Sequence, residues 1–110
     1  MRKILIILSL FLLCGCSNSN IEDIYKIMNE NEHIIIDVRT EEEYEDGHVL
    51  GAINIPYDEI DVNSNLDKDK IIFVYCKSGG RSGIALNTLT SLGYIVYNLG
   101  SFSEIALPKE

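Results

Sequence analysis

The chain has 110 residues, of which 46% are hydrophobic, and its formal net charge is −8. This length leaves room for one domain. The acidic balance, with no basic patch interleaved with aromatic residues, argues against binding to nucleic acid or to an anionic lipid surface. The sequence contains no His/Cys cluster with metal-ligand spacing, no P-loop and no dinucleotide fingerprint, so it predicts neither a metal nor a cofactor.

The first twenty residues are typical of an export leader followed by a tether. Arg2 and Lys3 precede an apolar run over residues 4–13, which is too short to span a bilayer. Residues 13–16 (Leu-Cys-Gly-Cys) resemble the bacterial lipobox, in which cleavage precedes an acylated cysteine, although Cys14 is an unusual occupant of its position. An ordinary secretory signal or an uncleaved anchor is the alternative interpretation.

The lipobox hypothesis divides the chain into a signal peptide (residues 1–16), a short polar tether (17–20) and a folded domain (21–110). Loss of Arg2 and Lys3 would change the formal charge from −8 to −10. Acyl chains on Cys16, worth about 0.8 kcal/mol per buried CH₂, would then hold the domain at the extracytoplasmic face of the cell membrane. Cys76 would be the remaining thiol, and an unpaired thiol in an exported protein is a potential reactive group.

Helices and strands alternate in the first half of the predicted domain. Apolar residues at helical spacing predict a helix over residues 20–29, and the β-branched run at residues 34–36, ending at Asp37, predicts a strand buried on both faces. Thr40 precedes three glutamates, which is typical of a helix cap with an acidic first turn. Residues 52–55 then predict a short strand.

The second half continues the alternation. Residues 58–70 predict one helical turn and a loop, and residues 71–75 form the clearest strand in the chain. A helix is predicted from about Arg81 to a C-cap at Gly93, followed by a strand over residues 94–97 and a helical turn over residues 102–107. The whole pattern predicts an α/β fold with a parallel sheet flanked by helices on both faces.

The loop that begins at Cys76 (C-K-S-G-G-R-S) carries the candidate chemistry. The preceding strand would deliver the Cys76 thiol to the carboxyl end of a parallel sheet, where ligands gather. Gly79 and Gly80 allow a tight curl, so loop amides and the positive end of the following helix can face the sulfur. Lys77 and Arg81 add positive charge nearby. These features favour a thiolate and would also suit a persulfide anion, whereas a buried structural cysteine is the alternative.

Several short motifs occur in a fixed order along the domain. They are Asp37-Val38-Arg39, Glu43-Tyr44, Gly47-His48-Val49, Gly51-Ala52, Asn54-Ile55-Pro56, Tyr75-Cys76, Gly79 and Arg81-Ser82. Each motif is weak alone, but together they resemble the rhodanese superfamily over about residues 21–107. The chain departs from that pattern in having no tryptophan, in having Ser101 after Gly100, and in leaving little room for an opening strand before the first helix.

The resemblance implies that Cys76 takes a sulfane sulfur from a small anionic donor such as thiosulfate. It implies transfer of that sulfur to cyanide or to another thiol. The thiol acceptor can belong to a redox protein, and a monomer is favoured, although the sequence does not determine the oligomeric state. Related phosphatases and arsenate reductases have a loop one residue longer, so the four residues between Cys76 and Arg81 favour sulfur transfer. A non-enzymatic persulfide-sensing or docking module is the alternative, and the presence of Cys76 favours the enzyme.

Other side chains of the loop have two interpretations each. Arg81 either binds the anionic donor or braces the loop through a carboxylate. Lys77 either attracts the sulfonate end of thiosulfate or is only solvated. Ser78 and Ser82 can donate hydrogen bonds to sulfur or cap the helix, and capping is favoured for Ser82.

Conspicuous residues outside the loop are predicted to support the scaffold. Asp37 and Arg39 are expected to form a structural ion pair, although Asp37 at a strand end can also face the pocket. A bridge between Arg39 and Glu43 is expected as well. His48 is expected to make a structural hydrogen bond, because a thiolate with a depressed pKa needs no general base.

Overall fold

A computed structural model describes residues 21–110 of the chain, and the leader, lipobox and tether predicted for residues 1–20 lie outside the described residues. Residues 21–110 form three α-helices and four β-strands. In chain order they are α1 (Ile21–Glu30), β1 (His33–Asp37), α2 (Glu41–Glu45), β2 (Ile53–Asn54), β3 (Ile71–Cys76), α3 (Gly80–Ser91) and β4 (Val96–Ser101). Short 3₁₀ turns occupy Tyr57–Glu59, Val62–Ser64 and Phe102–Glu104.

The four strands form one parallel sheet in the order β2-β1-β3-β4. The register aligns Asp37 of β1 with Tyr75 of β3, and Cys76 of β3 with Ser101 of β4. Because parallel strands end at the same edge, these residues and the loops after them gather on one side of the sheet. This edge positions the candidate site.

Both faces of the sheet are covered, as the sequence predicts. Alternate residues of β3 point to opposite sides, so Val74 packs in the core beneath α3 and Phe73 packs in the core that includes Met28 of α1. The buried residues of α3 include Ala85 and Leu89. The predicted α/β fold with helices on both faces is therefore confirmed. No helix in residues 21–110 has the length and apolar character needed to cross a bilayer.

The last strand differs most from its prediction. The sequence pattern places it at residues 94–97, whereas β4 spans Val96–Ser101. Gly93 ends the preceding helix at φ 100°, and the Tyr94 amide still donates to the Leu89 carbonyl, so Tyr94 completes the helix end instead of starting the strand. Ile95 is 59% exposed. The 3₁₀ turn after β4 also stops earlier than the helical turn predicted for residues 102–107.

A buried polar network links β1, β3 and the loop before β2. The Tyr75 hydroxyl donates to Asp37 Oδ2 at 2.8 Å and accepts from the Val49 amide at 2.9 Å. Asp37 and Tyr75 are both fully buried, and burial raises the pKa of Tyr75 well above its usual value. The hydroxyl therefore stays protonated and keeps both hydrogen bonds.

Removal of this hydroxyl should destabilise the fold. We expect Tyr75→Phe to lower the free energy of unfolding by about 1–3 kcal/mol, because it leaves the buried Val49 amide without its acceptor. Urea denaturation measures the effect. Tyr97→Phe is the matched control, since the Tyr97 hydroxyl has no hydrogen-bond partner within the described part of the chain, and its cost should stay under about 0.5 kcal/mol. Equal costs for the two variants would contradict the network's role.

Candidate active site

Cys76 is the last residue of β3 and opens a tight loop into α3. The strand is buried from Ile72 to Cys76, so the thiol is held by a rigid element. The chain turns at Gly79, whose φ of 100° lies in the left-handed region that favours glycine, and α3 begins at Gly80. The loop therefore bends back over the sulfur of Cys76.

Backbone amides of the loop contact the Cys76 sulfur. The Gly79 amide donates to Sγ at 2.9 Å and the Ser82 amide donates at 3.3 Å. Sγ lies 3.5 Å from the Ser82 hydroxyl oxygen, and that hydroxyl donates to the Gly79 carbonyl at 3.1 Å. The predicted inward-facing amides are therefore present around the sulfur.

Two opposing effects set the pKa of Cys76. Burial raises it, because a charged sulfur loses solvation. Hydrogen bonding with the Ser82 side chain and with the Ser82, Gly79 and Ser78 amides lowers it, and together these interactions outweigh burial. The pKa of Cys76 consequently lies below its ordinary value, and the thiolate, which is the nucleophile, is favoured.

The sulfur has no open path in this conformation. The residue Cys76 has 0% exposure, whereas the adjacent Lys77 and Ser78 are exposed. A reactant can therefore touch Sγ only when the loop moves outward from it. Small or linear reactants need the smallest movement.

Arg81 braces the loop against α2. Its Nη1 and Nη2 donate to the two carboxylate oxygens of Glu43 at 2.8 and 3.1 Å. The Arg81 hydrogen bonds are the largest cause that lowers the pKa of Glu43, to about 2. Because this pKa is depressed, the pair stabilises the fold above the ordinary carboxyl range near pH 4.5 and the stabilisation is lost as the pH falls toward 2. The bracing contact, one of the two roles expected for Arg81, is thus present in the structure.

The predicted ion pair of Asp37 and Arg39 is confirmed. Arg39 donates to both Asp37 carboxylate oxygens, with Nη2 to Oδ2 at 2.6 Å, and Nη2 also donates to the Gly47 carbonyl at 2.6 Å. The guanidinium carbon lies 4.3 Å from the centre of the Phe102 ring. The predicted bridge from Arg39 to Glu43 is wrong. Arg39 precedes the N-cap Thr40 and so lies outside α2, and its guanidinium donates to Asp37 and Gly47 instead.

His48 makes structural contacts only, as expected. Nδ1 lies 2.9 Å from the Tyr44 carbonyl oxygen and Nε2 lies 3.2 Å from Glu110 Oε2. The imidazole also stacks on the Tyr44 ring, with a centroid distance of 3.8 Å. Within residues 21–110, no group of three or more His, Cys, Asp or Glu side chains could hold a metal ion.

The structure adds wall residues to the site that the sequence interpretation missed. A cleft of about 290 Å³ lies beside the loop and includes Lys77, Phe102 and Ser103 in its lining. The Ser101 hydroxyl donates to the Lys77 carbonyl at 2.8 Å and ties β4 to the loop. These residues come together because β4 pairs with β3. The sequence prediction places the last strand at residues 94–97, so it does not include the residues of β4 that lie beside the loop.

The Ser82 hydroxyl gives a test of the sulfur environment. We expect Ser82→Ala to raise the pH at which Cys76 is alkylated and to slow alkylation at neutral pH by about tenfold. When Cys76 is a thiolate, the Ser82 hydroxyl can rotate from the Gly79 carbonyl to donate to Sγ, and hydrogen bonds to a charged group contribute about 1.5–3 kcal/mol. Alkylation rates with a small neutral reagent, measured against pH, provide the readout. Ser78→Ala is the control, since its amide is retained and no contact of its hydroxyl is present in the described structure. An unchanged Ser82→Ala profile would contradict the assigned cause of the low pKa.

Comparisons with known proteins agree on one family. The sequence model of the rhodanese-like domain matches residues 20–107. The chain is 44% identical over 78 residues to the thiosulfate sulfurtransferase PspE of Escherichia coli, which covers 67% of this chain and 75% of that protein. It is 39% identical over 96 residues to the chloroplastic thiosulfate sulfurtransferase 16 of Arabidopsis thaliana, covering 71% of this chain and 80% of that protein.

The solved structures agree with the sequence relatives. A structure described as a rhodanese with anions from E. coli aligns with a TM-score of 0.66 and 41% identity, covering 71% of this chain and 96% of that one. The family match extends over nearly all of the described residues and includes the Cys76 loop. The chain therefore belongs to the rhodanese-like domain family, which includes the two thiosulfate sulfurtransferases named above.

Proposed function

We propose that the protein is a sulfurtransferase that carries sulfane sulfur as a persulfide on Cys76. The observation that carries the proposal is the set of amides from Gly79 and Ser82 that donate to Sγ. Because these donors stabilise the anionic sulfur, Cys76 needs no general base to remove its proton. A persulfide is a larger anion with the same charge as the thiolate. The same donors can therefore serve both states of the cycle.

The first step is attack on the donor. The Cys76 thiolate attacks the outer sulfur of thiosulfate, a new S–S bond forms, and the bond from that sulfur to the sulfonate breaks. Sulfite leaves with the electron pair, and the protein keeps Cys–S–S⁻. The loop amides compensate the negative charge before and after the transfer, which limits reorganisation during the step.

The second step returns the thiolate. A thiolate acceptor attacks the outer sulfur of the persulfide, the S–S bond to Cys76 breaks, and the acceptor leaves as its own persulfide. Cyanide would leave as thiocyanate by the same exchange. Neither step consumes a proton or needs a cofactor, which fits a site made of one thiol and peptide donors.

Thiosulfate is the proposed donor class because two relatives are named thiosulfate sulfurtransferases and one solved relative is described with anions. Lys77 is exposed at the rim of the loop, where its ammonium can attract the sulfonate end. A phosphoryl substrate is not favoured, since the four residues between Cys76 and Arg81 form a tight loop suited to a single sulfur atom.

Mass spectrometry of the intact protein tests the proposal. After incubation with thiosulfate and removal of excess donor, we expect a gain of one sulfur atom that localises to Cys76 and is lost on addition of a thiol. Cys76→Ser should gain none. Absence of sulfur on wild-type protein would contradict the proposal, and loading that no thiol or cyanide removes would favour a sensing module instead.

We also propose that Cys16 carries lipid and holds the domain at the extracytoplasmic face of the membrane. The support is the order of positive residues, apolar run and Leu-Cys-Gly-Cys in residues 2–16. Expression of the full chain in a bacterium fed a labelled fatty acid should label the wild type and not Cys16→Ser, with Cys14→Ser as the matched control. Equal labelling of wild type and Cys16→Ser would contradict the anchor.

A further inference from the structure

The Glu43 carboxylate accepts hydrogen bonds from both Thr40 and Arg81. Oε1 accepts from the Thr40 amide at 3.0 Å and from the Thr40 hydroxyl at 3.1 Å, in addition to Arg81 Nη1. The Thr40 hydroxyl accepts in turn from the Glu43 amide at 3.1 Å, which completes a capping box at the start of α2. The carboxylate is thus fixed before it meets Arg81.

The terminal edge of the Arg81 guanidinium is consequently occupied by Glu43. A guanidinium binds a sulfonate, sulfate or phosphate most strongly through two parallel N–H donors, and in this chain both terminal nitrogens donate to Glu43. Arg81 is the second residue of α3 and closes the loop around the sulfur, and its charge interacts with Cys76. A group that can bind an oxyanion therefore belongs to the loop that encloses the sulfur, and both of its terminal nitrogens donate to a carboxylate.

We propose that Glu43 is a specificity-determining residue that keeps the Arg81 guanidinium from binding oxyanions at the Cys76 site. The inference rests on the proposed sulfur transfer, which needs a sulfur anion to bind and a sulfite ion to leave. A bidentate Arg81 would favour sulfate, phosphate and retained sulfite as competitors. With Glu43 in place, the peptide donors that face a single sulfur atom decide what binds.

The test is a double-mutant cycle with inorganic sulfate as the probe. Wild type, Glu43→Gln, Arg81→Gln and the double variant are alkylated at Cys76 with a small neutral reagent, with ionic strength matched by chloride. The sulfate concentration that halves the alkylation rate is the readout. The Gln variant keeps the shape of Glu43, and thermal unfolding checks that each variant is folded.

We expect the sulfate concentration that halves the alkylation rate to be about tenfold lower in Glu43→Gln than in wild type, since the Arg81 guanidinium can then donate charge-assisted hydrogen bonds to sulfate. Arg81→Gln should leave the weak wild-type protection unchanged, and the double variant should return to the wild-type value. If Arg81→Gln alone weakened protection, Arg81 would already bind anions and the proposal would be wrong. Identical protection in all four proteins would also overturn it.

The Arg81→Gln arm keeps the proposal falsifiable even if Glu43→Gln unfolds, because it leaves the α2 cap intact and weaker protection in this variant would contradict the proposal. Steady-state kinetics add a second readout: in Glu43→Gln, inhibition by sulfite should tighten by a factor similar to that for sulfate. Sulfate protection needs no sulfur transfer. Failure to load sulfur would therefore contradict the proposed function alone, whereas the wrong pattern of protection would contradict the role of Glu43 alone.

Discussion

Peptide N–H groups, and not side-chain cations, donate hydrogen bonds to the Cys76 sulfur. The architecture of the rest of the site depends on these hydrogen bonds. Amides can converge on one atom only if the backbone reverses tightly, which the left-handed Gly79 permits. They converge on Sγ only if β3 delivers Cys76 at the carboxyl end of the sheet and α3 starts at once. Strand, loop and helix therefore act as one unit.

The hydrogen bonds of this unit have to offset the cost of burying a charged sulfur. Burial raises the pKa of Cys76, so any loosening that removes a donor without admitting water would favour the neutral thiol. The loop is accordingly fastened on both sides, by Ser101 to the Lys77 carbonyl and by Arg81 to Glu43. Between these two attachments, Ser78 and Gly80 are exposed to solvent.

The features of the structure that the sequence predicts correctly are those determined by short stretches of neighbouring residues. The apolar β3 run, the glycines after Cys76 and the Thr40–Glu43 spacing each determine their own segment, and all three are found as expected. The bridge expected between Arg39 and Glu43 failed, since four-residue spacing pairs side chains only within a continuous helix. The actual partner of Glu43 is 38 residues away in the chain, and only the packing of α2 against the loop brings the two together.

Charge balance explains how an acidic chain can handle anionic sulfur. Each arginine near the site is matched by a carboxylate, Arg39 by Asp37 and Arg81 by Glu43, so neither adds a free cation at the sulfur. The overall charge of −8 acts at long range and is screened beyond about 8 Å at physiological ionic strength. Hydrogen-bond donors act at contact distance, where dissolved ions do not screen the interaction. A neutral cradle of amides therefore stabilises the anionic sulfur of the thiolate or of the persulfide without a free arginine at the site.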